Sequence, residues 1–175
     1  MSQVDRIDEP MFTVQELYQY TSRVRRSFAQ KLAEVPWDEV TKNREASFHS
    51  MKNILIHMID NEDWIVNWVI HNRSRDYKRS KKSDDYTDMK MILDHLEEVE
   101  KKTKTYYANA DEVELKRRVD FTLSSGDRFD LSVEESLFQS ITEQLYHMGE
   151  LIALLWQQDI RPPNMQWFWN NPRGT

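Results

Sequence analysis

Apolar residues recur at intervals of three and four along four long stretches of this chain, the spacing of one helix face. The first holds Val14, Leu17, Tyr18, Val24, Phe28 and Leu32, which predicts a helix over about 14–34 with some drift around Thr21. Thr13 and Glu16 form a capping box at its start, and Pro36 marks its end. The second stretch, about 49–72, has a wide apolar face from Met51 through Ile54, Leu55, Met58, Ile59 and Ile65 to Ile70. Ser50 or Ser47 is placed to cap it. The third, about 88–107, starts at Thr87 or Asp88 and carries Met89, Ile92, Leu93, Leu96 and Val99. Its C-terminal half is rich in Glu and Lys, so that half is expected on the outside. Ser132 and Glu135 form a second capping box before the last stretch, which runs to about Gln158 and is stopped by Pro162 and Pro163.

Between the third and fourth stretches the period changes to two. Val119, Phe121 and Leu123 alternate with polar residues, then comes Ser-Ser-Gly-Asp, then Phe129 and Leu131 alternate again. This is a short β-hairpin, with Gly126 supplying the turn. The fold class implied is all-α, a four-helix bundle with a hairpin before the last helix. The expected organisation is a leader over 1–12, the bundle over 13–163 and an aromatic tail over 164–175. The tail should fold back on the bundle or pack on a partner.

The chain has 175 residues, enough for one domain with a core, and 39% are hydrophobic against 31% charged. Three glycines and five prolines suit a helical fold. The net charge of −6 argues against phosphate-backbone binding. One basic run, Arg73 to Lys82, reads as a solvated loop rather than a nucleic-acid patch. With no cysteine, disulfides, thiolate zinc sites and a cysteine nucleophile are excluded. No secretory signal and no apolar stretch of bilayer length is present, so a cytoplasmic protein with no membrane partner is expected.

The candidate chemistry lies on two helices. Glu143 and His147 stand one turn apart and offer an oxygen and a nitrogen to one point. If His57 faces that point from the second helix, the three surround a divalent metal and leave a position open. A lone histidine on an apolar helix is commonly a core residue, and a helix Glu is commonly exposed, so the metal reading depends on the three standing together. Gln139, Asn61 and Glu62 are candidates to orient the ligands, and Trp64 and Tyr146 to line a pocket. His49, His71 and His95 have no partner spacing.

These residues carry a resemblance to the DinB/YfiT-like family of metalloenzymes. The second helix, with Ser50, Leu55, His57, Glu62 and Trp64, is similar to the family's first-ligand helix. The Phe121–Gly126–Phe129 hairpin is similar to its strand pair. Glu143-x-x-x-His147-x-Gly149-Glu150 resembles the signature His-x-x-x-His-x-Gly-Gln, and Gln157 with Pro162 and Pro163 resembles the C-terminal flank. The resemblance covers about 13–163 and implies an up-down-down-up bundle, often dimeric. It also implies one divalent metal (zinc, nickel, manganese or iron) on His57, Glu143 and His147. Glu143 departs from the commoner His, which shifts preference toward harder metals.

Two functions are implied, from different classes. The first is a metal-dependent transferase or hydrolase, in which a low-molecular-weight thiol or water attacks a small electrophile. Without a cysteine of its own, the chain would take any thiol from a cosubstrate. The second is a non-catalytic homodimeric bundle, a stress-related interaction protein whose metal site is degenerate.

Overall fold

A computed structural model describes residues 12–173; the expected leader therefore lies outside the described residues except for Phe12. Helix α1 spans Val14–Ala33 and starts with the Thr13–Glu16 capping box. The drift at Thr21 has a local cause. Its buried hydroxyl donates back to the carbonyls of Leu17 and Tyr18, which satisfies a polar group inside the core. A short helix α2, Trp37–Thr41, lies in the connection between the first two predicted helices. Helix α3, Met51–Trp64, is capped by the Ser50 side chain and buries Met51, Ile54, Leu55, Met58 and Ile59 completely. Burial of this kind contributes roughly 1.5–3 kcal/mol per large apolar side chain.

The second predicted helix is not uniform. After Trp64 it widens into a π-helical turn over Ile65–Val69, closed by the Ile70 N–H donating to the Ile65 carbonyl at 3.1 Å. Such a turn inserts a residue and rotates the side chains beyond it, and such turns concentrate at functional sites. Helix α4 spans Met89–Asn109 and is capped by Asp88. The expectation that its C-terminal half lies outside is corrected for one face of the helix. Glu100, Thr103 and Tyr107 are buried against α1, where Tyr107 stacks on Tyr18 with ring centroids 4.4 Å apart. Of the charges in that half, Glu100 belongs to a buried ion network, whereas Glu97, Glu98, Lys101, Lys102 and Lys104 lie on the exposed face.

Helix α5, Glu112–Lys116, leads into strands β1, Arg118–Thr122, and β2, Arg128–Ser132. The strands pair antiparallel with Phe121 opposite Phe129 and Val119 opposite Leu131. Gly126 holds φ +96°, a conformation that costs other residues strain. Arg117 ties the ribbon to the bundle through its guanidinium to the Ile70 carbonyl, 2.6 Å. Helix α6, Val133–Trp156, begins with the Ser132–Glu135 capping box.

Helices α1, α6, α3 and α4 are neighbours in that order around the bundle, so α6 lies between α1 and α3. The last described element is helix α7, Trp167–Asn170, which folds back on α1. There Trp167 packs against Tyr20 and Phe12 while Phe168 and Trp169 remain exposed. Among the described residues no helix is long and apolar enough to cross a membrane.

One polar cluster crosses the core. Arg25 is fully buried and pairs with Glu62 at 2.6 Å and Glu100 at 3.2 Å. Its guanidinium also donates to Gln144, whose amide donates to the Met58 carbonyl at 2.8 Å. Tyr18 donates to Glu62. This places Glu62, expected to orient a ligand, on the opposite side of α3. At about 100° per residue, the five steps from His57 carry Glu62 roughly 140° round the helix and turn it into the core. Gln144 links α6 to the carbonyl next after His57, and so fixes the two helices that carry the candidate ligands.

Candidate metal centre

The structure brings His57, Glu143 and His147 together. Their donor atoms lie within 4.8 Å of one another. Glu143 Oε2 stands 3.4 Å from His147 Nε2 and 3.7 Å from His57 Nε2. Two ligands of one tetrahedral zinc, each about 2.0–2.2 Å from it, stand roughly 3.3–3.6 Å apart. The Glu143–His147 separation falls in that range and the Glu143–His57 separation lies just beyond it, and both are long for a hydrogen bond. Two imidazole nitrogens and one carboxylate also leave a position open, as in catalytic sites. The donor set fits a divalent metal.

His147 is prepared for the role by its neighbours. It is only 3% exposed, and its Nδ1 lies 3.1 Å from Glu150 Oε2. With the proton on Nδ1 donating to that carboxylate, Nε2 carries the free lone pair that faces Glu143. Glu150 also accepts from the Ser47 backbone N–H and hydroxyl, both at 2.8 Å. Burial pushes the Glu150 carboxyl up, but the Ser47 donors and His147 outweigh it and hold the group below its usual range. For His57, burial and then the neighbouring His147 lower the pKa, and Glu143 opposes them. A neutral imidazole is the form that binds metal.

The loop 42–50 closes one side. It is pinned by the Arg44 guanidinium, which donates to Gln158 at 2.7 Å, and it turns sharply with φ 57° at Glu45 and 67° at His49. Phe48 at its tip stacks on His57 at 4.0 Å and meets His147 edge-on at 5.3 Å. Among the residues singled out from sequence, Gln139 donates to Glu143 Oε1 at 3.1 Å. Tyr146 packs edge-on against His147 but is 68% exposed. Asn61 and Trp64 line the space beside His57. Glu62 is absent from the site, being committed to the Arg25 network. Ser47, Phe48 and Glu150 escape a reading of the sequence. Glu150 is legible there only as the counterpart of the signature Gln, and nothing in the spacing of loop 42–50 points to His57.

A cavity of about 370 Å³ opens beside His57 and Glu143. Its walls are apolar, from Trp64, Ile65 and Val69 at the π turn and from Phe121, Leu123, Phe129 and Leu131 on the ribbon. The π turn presents Ile65 and Val69 to this space, and the in-register ribbon puts its apolar face opposite them. A second space of about 410 Å³, lined by charged and polar side chains together with two aromatic ones, also adjoins His57.

Comparison with known proteins agrees with this architecture. The DinB-like protein YjoA of Bacillus subtilis is similar at a TM-score of 0.67 with 15% identity, over 87% of this chain and 98% of that one. A DinB-like protein of Bacillus cereus ATCC 10987 is similar at 0.61 with 18% identity, over 86% and 94%. At such identities the likeness shows the fold alone. No curated protein matches the sequence. The model of the DinB family matches residues 9–173, nearly the whole chain, and the chain belongs to that family.

Proposed function

We propose that this chain is a metal-dependent enzyme of the transferase or hydrolase type. In this reading His57, Glu143 and His147 hold one divalent ion, and the apolar cavity beside them admits a small electrophile. The observation that supports it is the convergence of two imidazole nitrogens and a carboxylate oxygen at ligand spacing on the rim of that cavity. A bound ion would supply Lewis acidity, which acidifies a thiol or a water at neutral pH. The residues of the chain do the rest. Glu150 fixes the His147 tautomer, Phe48 restrains the His57 ring, Gln139 holds Glu143, and the ribbon supplies an apolar wall of the cavity. Any thiol comes from outside, since the chain has no cysteine.

The test is to strip the protein with a chelator and reload it separately with zinc, nickel, manganese and iron. Metal content and consumption of a small thiol are then followed in the presence of an activated aryl halide or a p-nitrophenyl ester. About one ion per chain and turnover that depends on it are expected. Metal uptake without turnover of either probe class would leave a binding site and remove the catalytic reading for these substrates.

A specific observation favours the second reading as well, at least in its dimeric part. Helix α6 presents an uncharged exposed stripe of Phe138, Tyr146, Gly149, Ala153 and Trp156. A Cβ built at Gly149 meets nothing within 4 Å, so a partner helix could approach closely there. The occupant that suits an uncharged stripe with its own gap and its own aromatic knobs is a second copy of the chain. Sedimentation equilibrium should show a dimer that Tyr146→Glu converts to monomer. A wild-type protein that is monomeric at high concentration sinks this reading.

A further inference from the structure

The second space beside His57 is unlike the apolar cavity. It is lined by His57, Asp60, Asn61, Trp64, Tyr77 and Arg79. Asp60 is 5% exposed, an unusual position for a carboxylate. Among the described residues the only cation paired with it is Arg79, whose Nε lies 3.2 Å from Oδ2 but is not aligned for a hydrogen bond, and which is itself 60% exposed. The neighbouring Asn61 Oδ1 is buried with no hydrogen-bond partner among the described residues. Tyr77 spends its hydroxyl on the Asp60 carbonyl at 3.3 Å, leaving its ring to the space. Two acceptors that lack good donors thus belong to residues lining one pocket with two aromatic side chains, and both atoms are shielded from solvent while Arg79 lies over Asp60.

Unmet acceptors cost stability unless a ligand supplies the donors. Burial, with a further push from Asp63, raises the Asp60 carboxyl to about 6, against the opposing pull of Arg79. An anion at Arg79 would leave Asp60 buried without any partner, so the pocket does not suit one. A primary ammonium answers both acceptors and is attracted to aromatic faces.

We propose that this pocket binds the primary ammonium group of a small amine. Asp60 is the ion-pair partner, Asn61 Oδ1 the second acceptor, Trp64 and Tyr77 the walls, and Arg79 swings aside to solvent. The pocket and the apolar cavity adjoin through His57, Asn61 and Trp64, and in this proposal one ligand extends across them. The ligand class is therefore an amine with an apolar body, aromatic or branched. Its place in a reaction rests on the metal-centre reading, but its binding does not.

The experiment uses metal-free full-length protein with chelator present. Benzylamine and its neutral analogue benzyl alcohol are titrated at pH 7.5, with the Trp64 indole N–H followed by NMR. Benzylamine is expected to bind about tenfold more tightly than benzyl alcohol. Asp60→Asn should abolish that preference, and Arg79→Ala should strengthen benzylamine binding by removing the competing cation. Equal binding of the two probes, no binding of either, or weaker amine binding in Arg79→Ala would overturn the proposal. Folding of each variant is checked by its thermal transition. A protein that takes up zinc yet shows no amine preference loses this inference and keeps the metal reading, and the converse result separates them the other way.

Discussion

Replacement of His147 by alanine is expected to lower zinc affinity by more than about 100-fold, since loss of a partner behind a ligand already costs about 10–100-fold. The expectation rests on geometry. His147 Nε2 is one of three donors within 4.8 Å, and its ring is set by Glu150 on one side and Phe48 on another. His57→Ala should have the same effect with less disturbance, because that side chain is 21% exposed and His147 is almost fully buried. Glu150→Gln should fall between, weakening zinc about 10–100-fold while the fold survives. Binding also competes with protons. The depressed His57 pKa keeps the ring neutral to lower pH than usual, so competition by protons at His57 should set in only below the ordinary value of 6.5. In metal-free protein the same shift means that the folded state binds fewer protons than the unfolded state. Its contribution to stability is complete above the ordinary value of 6.5 and declines on acidification. Competition titration with a zinc-sensitive dye measures the affinities, and zinc affinity unchanged in both histidine variants would refute the assignment.

The second large effect is expected at Arg25. Arg25→Met leaves Glu62 and Glu100 buried without their shared cation, and breaking a buried pair this way costs about 3–5 kcal/mol. For a chain of this size that lowers the melting temperature by roughly 10 °C. Arg26 and Lys104 still reach Glu100 from the surface, so Glu62 bears most of the loss. The triple variant Arg25→Met, Glu62→Leu, Glu100→Leu should recover most of the stability, because apolar packing replaces buried ion pairs at little net cost. The network also sets the acid limit. Burial raises the Glu100 carboxyl, but Arg25, Arg26 and Lys104 hold it below 4.5. Its contribution is therefore complete above about pH 4.5 and is lost as pH falls through the lower folded value. Calorimetry across pH on the three proteins checks both statements. A single variant as stable as wild type would mean that the pair carries no net cost when broken.

The sequence disclosed what depends on period and on short-range chemistry. Thr13–Glu16 and Ser132–Glu135 start their helices, and Gly126 turns the ribbon, because each acts within four residues. The triad was legible for a related reason. Glu143 and His147 share a face by register, and only His57 had to be brought from elsewhere. The features that stayed hidden depend on contacts between distant segments. Glu62 and Glu100 look like surface charges until Arg25, far from both in sequence, is seen to enter the core with them. Phe48 and Ser47 reach the histidines through a loop with two residues at positive φ, and no periodicity marks such a path. The π turn leaves the apolar pattern of the second helix nearly intact, since Ile65, Val66, Val69 and Ile70 are all buried either way. Its effect appears only in the make-up of the cavity walls.

The two-stranded ribbon divides the labour of inheritance. The candidate ligands belong to bundle helices that are braced through Arg25, Gln144 and loop 42–50, whereas Phe121, Leu123, Phe129 and Leu131 belong to a hairpin that no core helix threads. Substitutions at these four wall positions can remodel the cavity while Val119, in the core, and Ser132, the cap of α6, keep the bundle and its ligand geometry as they are. Descendants of such a chain could drift from one small molecule to another by mutation at Phe121, Leu123, Phe129 and Leu131, with the reacting centre passed on unchanged.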